Sequence, residues 1–229
     1  MKNQTINRKA TIKVAKALGE LNNEAVFVGG AIVSLYINDP AAEDIRPTKD
    51  LDLTFQIATV GRLEQLREAL TQRGFIQTHE DKVICRFRLD DLLIDVMSTQ
   101  AVGWAPSNRW FDPGFEKSFS LQLDNVSIRL MPLSYLLASK MEAFFDRGIN
   151  DLYASHDFED ILYIFNYTTD LVEQVGKEEG DVIDYLKACI ERIIGDKRIQ
   201  EVIPAHLFYD AVDDRLEIIM EKMKRIING

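Results

Sequence analysis

Cysteine is scarce in this chain of 229 residues: Cys85 and Cys189 stand far apart, and neither belongs to a Cys-x-x-Cys pair. That excludes a disulfide scaffold, and three histidines offer no zinc-ligand spacing, so two reduced thiols are the expectation. Long apolar runs are missing too. The longest, Ala25 to Ile37, is too short to cross a bilayer and is interrupted by a glycine pair. No signal-peptide pattern is read at the N-terminus, so the expectation is a cytoplasmic protein without a membrane role. The third shortage is of clustered basic residues. The net charge is −10, with 13 Lys/Arg against 14 Asp/Glu in residues 1–100 and 14 against 23 in residues 101–229. The second stretch alone is therefore −9, and no basic run offsets it. Binding along an extended nucleic acid demands clustered Lys and Arg, so it is not expected here. A nucleic-acid end, a small cationic acceptor or a protein partner remains open.

With 46% hydrophobic residues, the chain can bury the core of one large domain or two small ones. Helical spacing over residues 6–21 precedes an apolar strand, Ala25-Val26-Phe27-Val28. The glycine pair follows, then a helix from Ala31 to Ile37 and a loop carrying Pro40 and Pro47. A strand from Asp50 to Ile57, a helix from Arg62 to Arg73, strands at Phe75–Thr78, Val83–Leu89 and Leu92–Ser98, a loop over 101–117 and a hairpin around Asp124-Asn125 complete the α/β pattern. From Pro132 the periodicity is helical: Leu133–Arg147, His156–Asn166, Asp181–Ile194 and Asp213–Ile227, with a shorter element near Arg198. The expected architecture is a mixed-sheet α/β domain over residues 1–131, followed by an all-helical domain over 132–229.

Chemistry concentrates on two stretches of the first domain. Gly29 and Gly30 let the backbone turn sharply and leave unshielded N–H groups at a helix start, a favourable place for phosphate. In Asp50-Leu51-Asp52-Leu53, a period of two puts both carboxylates on one face and both leucines on the other. Adjacent carboxylates repel unless one is protonated or a cation lies between them, and a hard divalent ion completed by nucleotide phosphates satisfies this. Asp95, a third carboxylate, interrupts a later apolar strand, Leu92 to Met97, and an Asp in such a strand needs a cation. Asp90 and Asp91 are turn residues, solvated by their position.

The ordered set of Gly-Gly, Asp-x-Asp and a lone later Asp resembles the DNA polymerase β-like nucleotidyltransferase superfamily. The resemblance implies that Asp50, Asp52 and Asp95 hold two Mg²⁺ ions for attack on the α-phosphate of a nucleoside triphosphate. Asp95 would also help deprotonate the acceptor hydroxyl, while Gly29 and Gly30 cradle the β- and γ-phosphates. Where that superfamily has Ser or Thr after the glycines this chain has Ala31, with Ser34 a turn later, and the segment Asn38 to Ile45 lengthens the approach to Asp50.

The helical half carries a second constellation. Leu137, Lys140, Met141 and Phe144 share one helical face, so Lys140 sits in an apolar stripe. Either its stem packs while the ammonium reaches water, or the charge is aimed at triphosphate oxygens. The string Leu136-Leu137-Ala138-Ser139-Lys140-Met141-Glu142-Ala143-Phe144, then Arg147-Gly148, then Ser155-His156-Asp157-Phe158-Glu159-Asp160-Ile161 resembles the AbiEii-type nucleotidyltransferases of toxin–antitoxin systems. Arg46-Pro47-Thr48-Lys49-Asp50-Leu51-Asp52 and Asn108-Arg109-Trp110 are similar to elements of the same family, the latter without an assigned role. The resemblance implies that Lys140 meets the phosphates and that Asp157 supports Lys140 or the acceptor, with His156 and Asp160 nearby. His156-Asp157 also reads as an ordinary acidic first helical turn.

The expected activity is transfer of a nucleoside monophosphate from a nucleoside triphosphate to an RNA 3′ end, such as that of tRNA, or to a protein, with a cognate antitoxin as a possible partner. Two alternatives are an aminoglycoside-type small-molecule transferase, suited to the acidic helical half, and a silent binding module of the same fold.

Overall fold

A computed structural model describes residues 2–48, 50–208 and 212–229. Lys49, which the sequence places beside Asp50, lies outside the described residues. The chain gathers into two compact units, one from Met1–Ile32 with Asp44–Pro132, the other from Val33–Glu43 with Leu133–Gly229.

In the first unit, α1 (Lys2–Leu18) and a 3₁₀ turn (Gly19–Asn23) lead into β1 (Ala25–Val28). β2 (Asp50–Phe55), α2 (Val60–Gln72), β3 (Arg86–Leu89), β4 (Leu92–Ser98), α3 (Phe111–Glu116), β5 (Phe119–Leu123) and β6 (Val126–Leu130) follow. The strands form one mixed sheet in the order β3-β4-β2-β1-β6-β5, with β2–β4 and β1–β6 parallel and the other neighbours antiparallel. Alternation sorts its faces. Leu51, Leu53, Phe87, Ile94 and Val96 are buried on one side, and Asp50, Asp52, Arg86 and Asp95 take the alternate positions. α2 begins where Thr59 Oγ1 accepts from the Arg62 amide at 3.2 Å, and it buries Leu63, Leu66 and Leu70.

The strand expected over Val83–Leu89 is confined to Arg86–Leu89, and two further stretches differ more from expectation. Phe75–Thr78 is not a strand: only Ile76 bridges to Arg88. Beyond it, Thr78 donates to Asp81 at 2.8 Å, and the Arg88 guanidinium holds both Asp81 oxygens at 2.8 Å. This fork closes the segment as a loop instead of a ladder. Within 101–117, α3 forms despite Pro113 and Gly114, because Pro113 falls in the first helical turn, where its missing N–H removes no helical bond.

In the second unit, α4 (Leu133–Asp146), α5 (His156–Tyr167), α6 (Leu171–Gly176), α7 (Asp181–Gly195), α8 (Lys197–Val202), a 3₁₀ turn (Ile203–His206) and α9 (Val212–Asn228) pack together. The short α6 is an element that the sequence patterns do not reveal. α4 packs on α5 and α7, and α9 packs on α5, α6 and α7. Phe144 of α4 stacks on Phe158 of α5 with centroids 4.6 Å apart. The segment 33–43 is tied to the end of α5: the amide of Asp39 donates to the Tyr167 carbonyl at 3.1 Å, and Asp39 pairs with Arg215 of α9 at 3.0 Å. Lys222 donates to the carbonyls of Phe165 (2.7 Å) and Thr168 (2.9 Å), capping the C-terminus of α5. No described helix is long and apolar enough to cross a membrane.

The Arg88 fork, helped by the Thr78 hydroxyl, holds the Asp81 carboxyl down at about 2 against an ordinary 3.8. A carboxyl depressed in the folded state stabilises fully above its unfolded value and loses that contribution as pH falls through the folded one. Asp81→Asn should therefore lower the urea midpoint at neutral pH and flatten its decline between pH 3.8 and about 2, as read by circular dichroism.

Candidate active site

The carboxylates that the sequence singles out in the first unit are assembled by strand register. Parallel pairing sets Asp52 beside Asp95 and Asp50 beside Leu93; antiparallel pairing of β1 with β2 sets Val28 beside Asp52. Gly29 follows at φ +77°, a left-handed conformation that suits glycine. A Cβ there would overlap the Asp52 carboxylate, so the bare backbone is what lets Asp52 lie against the turn. Gly30 opens a 3₁₀ helix (Gly30–Tyr36) where an α-helix was expected. Ala31 and Ser34 are both buried, and among the described residues the Ser34 hydroxyl has no hydrogen-bond partner.

Arg86 is the member that the motifs miss. It lies opposite Asp95 across the β3–β4 hairpin. Its Nε and Nη2 donate to the two Asp95 oxygens, each at 2.7 Å, and Nη2 is 3.5 Å from Asp50 Oδ2. The other Asp50 oxygen accepts from the Thr48 hydroxyl at 2.8 Å. Hydrogen bonding to Asp95 pushes the Arg86 guanidinium well above its already high ordinary value. A signal for this pairing is present in the sequence. Asp90-Asp91 is a two-residue turn, and counting back from it pairs Leu89 with Leu92 and Arg86 with Asp95. Cys85, next to Arg86, has its thiol pushed up to about 11 by burial and then by the nearby Asp95 and Asp52 charges, and both cysteines are buried and not joined in a disulfide.

The donor set fits a hard divalent ion in kind, being carboxylate oxygens aligned on one sheet face. In geometry the fit is incomplete, since Asp95 is engaged by the guanidinium. Among the described residues, no three His, Cys, Asp or Glu side chains gather into a metal-ligand set. A pocket of about 290 Å³ lies at the other end of β1 and β2, lined by Asn23, Glu24, Phe55, Arg62 and Arg129 among others. None of the sequence-derived site residues lines it.

The second constellation is a buried ion cluster within the helical unit. Lys140 Nζ lies 2.6 Å from Asp160 Oδ2 and 3.4 Å from Asp157 Oδ1, with the Lys140 side chain 7% and the Asp160 side chain 1% exposed. The ammonium therefore does not snorkel to water. Arg147 donates to Asp157 Oδ2 at 2.8 Å from a largely exposed position. His156 is exposed, and its Nδ1 lies 3.4 Å from Glu159. Ser155 caps α5 by accepting from the Phe158 amide, which puts Asp157 in the favourable first turn. Arg109 stacks over Trp110 with its guanidinium 4.4 Å from the ring centroid, and Trp110 is buried.

Glycine turn, paired strand carboxylates and helical half together define a nucleotidyltransferase fold. Residues 14–225 match the family described as "Nucleotidyl transferase AbiEii toxin, Type IV TA system", and the chain belongs to that family. It is a nucleotidyltransferase of the toxin–antitoxin class. Similar solved structures include an antigenic nucleotidyltransferase-like protein from Paracoccidioides brasiliensis, with 16% identity, a TM-score of 0.47, and 90% of this chain and 95% of that one covered. Another is the antibiotic-resistance factor ANT(2'')-Ia, with 15% identity, a TM-score of 0.49, and 84% and 95% covered. No curated protein matches the sequence.

Removing one partner of a buried ion pair leaves the other charge uncompensated, at a cost of about 3–5 kcal/mol. Lys140→Met should lower unfolding stability by that order, and Lys140→Met combined with Asp160→Leu should recover much of the loss. Urea denaturation of the three proteins reads both effects.

Proposed function

We propose that this protein transfers a nucleoside monophosphate from a nucleoside triphosphate to a hydroxyl at an RNA 3′ end or on a protein, releasing pyrophosphate, and that it acts in the cytoplasm as the toxin partner of a cognate antitoxin. One observation carries the reading: Asp50, Asp52 and Asp95 share a sheet face, with Asp52 laid against the Gly29 turn.

Asp50 and Asp52 would hold both magnesium ions, and Asp95 would complete the catalytic one and help deprotonate the acceptor hydroxyl. Bound magnesium would supply charge neutralisation at the phosphates. Gly29 and Gly30 offer backbone N–H groups to the β- and γ-phosphates, unobstructed by side chains. The family resemblance also implies Lys140 as a phosphate contact supported by Asp157, and in the helical unit its ammonium is held by Asp160 at 2.6 Å and Asp157 at 3.4 Å. Little covalent chemistry falls to the protein in phosphoryl transfer; positioning and charge do most of it.

The acidic balance of residues 101–229 limits the acceptor to a short contact, so only the terminal nucleotides of an RNA should matter. The test offers total tRNA, aminoglycosides and lysate protein in parallel, with Mg²⁺ and each labelled nucleoside triphosphate. Label on tRNA or protein is expected, and label on an aminoglycoside would move the protein to the small-molecule class. No transfer together with no nucleotide binding would leave only a silent module. In the same preparation Mg²⁺ plus nucleotide should raise the melting temperature, and Asp50→Asn with Asp52→Asn should abolish that rise.

A further inference from the structure

Arg86 has no part in the activity just described, yet it is the group most closely engaged with the proposed metal face. Both Asp95 oxygens are taken up by its fork at 2.7 Å, a geometry that leaves the carboxylate poorly placed to coordinate an ion at the same time. The same guanidinium reaches Asp50 at 3.5 Å, so it stands among the acids and is not turned outward. The side chains of Arg86 and Asp95 are 18% and 15% exposed, so water screens this pair only partly, whereas Asp50 at 44% is open to incoming ions.

Resting on the metal-dependent reading above, we infer that Arg86 is a resident cation of the metal site: it keeps Asp95 out of coordination, so the nucleotide-free protein takes one divalent ion, at Asp50 and Asp52. The second ion enters only when a triphosphate draws the guanidinium off Asp95. Phosphate is a competent rival for it, because a guanidinium pairs with phosphate oxygens in the same two-pronged manner as with carboxylate. The arrangement makes occupancy of the second position depend on substrate. A structural role alone, pinning the edge strand β3 to β4, would affect stability but not ion stoichiometry.

Manganese is the probe, counted by paramagnetic resonance and by calorimetry. Wild-type protein without nucleotide should bind one Mn²⁺ per chain, and with a non-hydrolysable nucleoside triphosphate it should bind two. Arg86→Gln should bind two without nucleotide, with the second site tightened about tenfold or more, the scale of a lost charge-assisted hydrogen bond. Arg86→Lys keeps the charge but loses the fork and should fall between. Circular dichroism and the urea midpoint confirm that each variant is folded, and the wild-type count stands even if a variant is not. Two ions of similar affinity in the nucleotide-free wild type would overturn the inference while leaving the metal site standing, as would a single ion in folded Arg86→Gln. No Mn²⁺ in any protein, with or without nucleotide, would overturn the metal site itself and this inference with it.

Discussion

Mutual repulsion among Asp50, Asp52 and Asp95 is the constraint around which the first unit is arranged. Parallel pairing of β2 with β4 puts Asp52 and Asp95 side by side, and alternation adds Asp50 to the same face. Each carboxylate is met by a different local solution. Asp50 accepts from Thr48, Asp95 takes the Arg86 fork, and Asp52 lies against a turn that glycine alone leaves open. The apolar face behind them, with Leu53, Phe87, Ile94 and Val96 fully buried, fixes the register that holds the acids together. Slipping any of these strands by one residue would turn the acids into the core, so hydrophobic packing enforces the polar arrangement.

The helical unit solves a similar problem with the signs differently placed. There a single buried ammonium is held by Asp160 and Asp157, and Asp157 is shared with the exposed Arg147. A buried pair of this kind contributes little net stability when intact, but breaking it is costly. Lys140→Met therefore weakens the helical unit itself, so any change in activity of that variant has to be read beside its stability.

Local patterns in the sequence carried most of the elements. Period-two alternation revealed β2, an apolar run broken by one charge revealed β4, the glycine pair marked the end of β1, and helical periodicity located α4, α5, α7 and α9. Family membership is likewise legible in the strings around Asp50 and Lys140. What escaped depended on partners distant in sequence or on unusual local chemistry. Phe75–Thr78 has strand composition, but Thr78, Asp81 and Arg88 tie its end into a loop. Pro113-Gly114 reads as a breaker, although α3 places the proline where a helix tolerates it. The spacing that put Lys140 in an apolar stripe could not show that Asp160, on another helix, awaits it. Arg86 belongs to none of the sequence motifs, and only hairpin register places it opposite Asp95.

The segment 33–43 has a consequence for how this chain is made. It lies between the glycine turn and β2 in sequence, yet it belongs with the helical unit, where Asp39 pairs with Arg215. These two residues are separated by 176 positions. At ribosomal speeds of about 5–20 residues per second, Asp39 leaves the exit tunnel on the order of ten to thirty-five seconds before Arg215. The helical unit therefore cannot complete itself on the nascent chain until the ribosome has passed residue 215. A truncated product that stops before α9 leaves this segment without its ion pair and the end of α5 without the Lys222 cap.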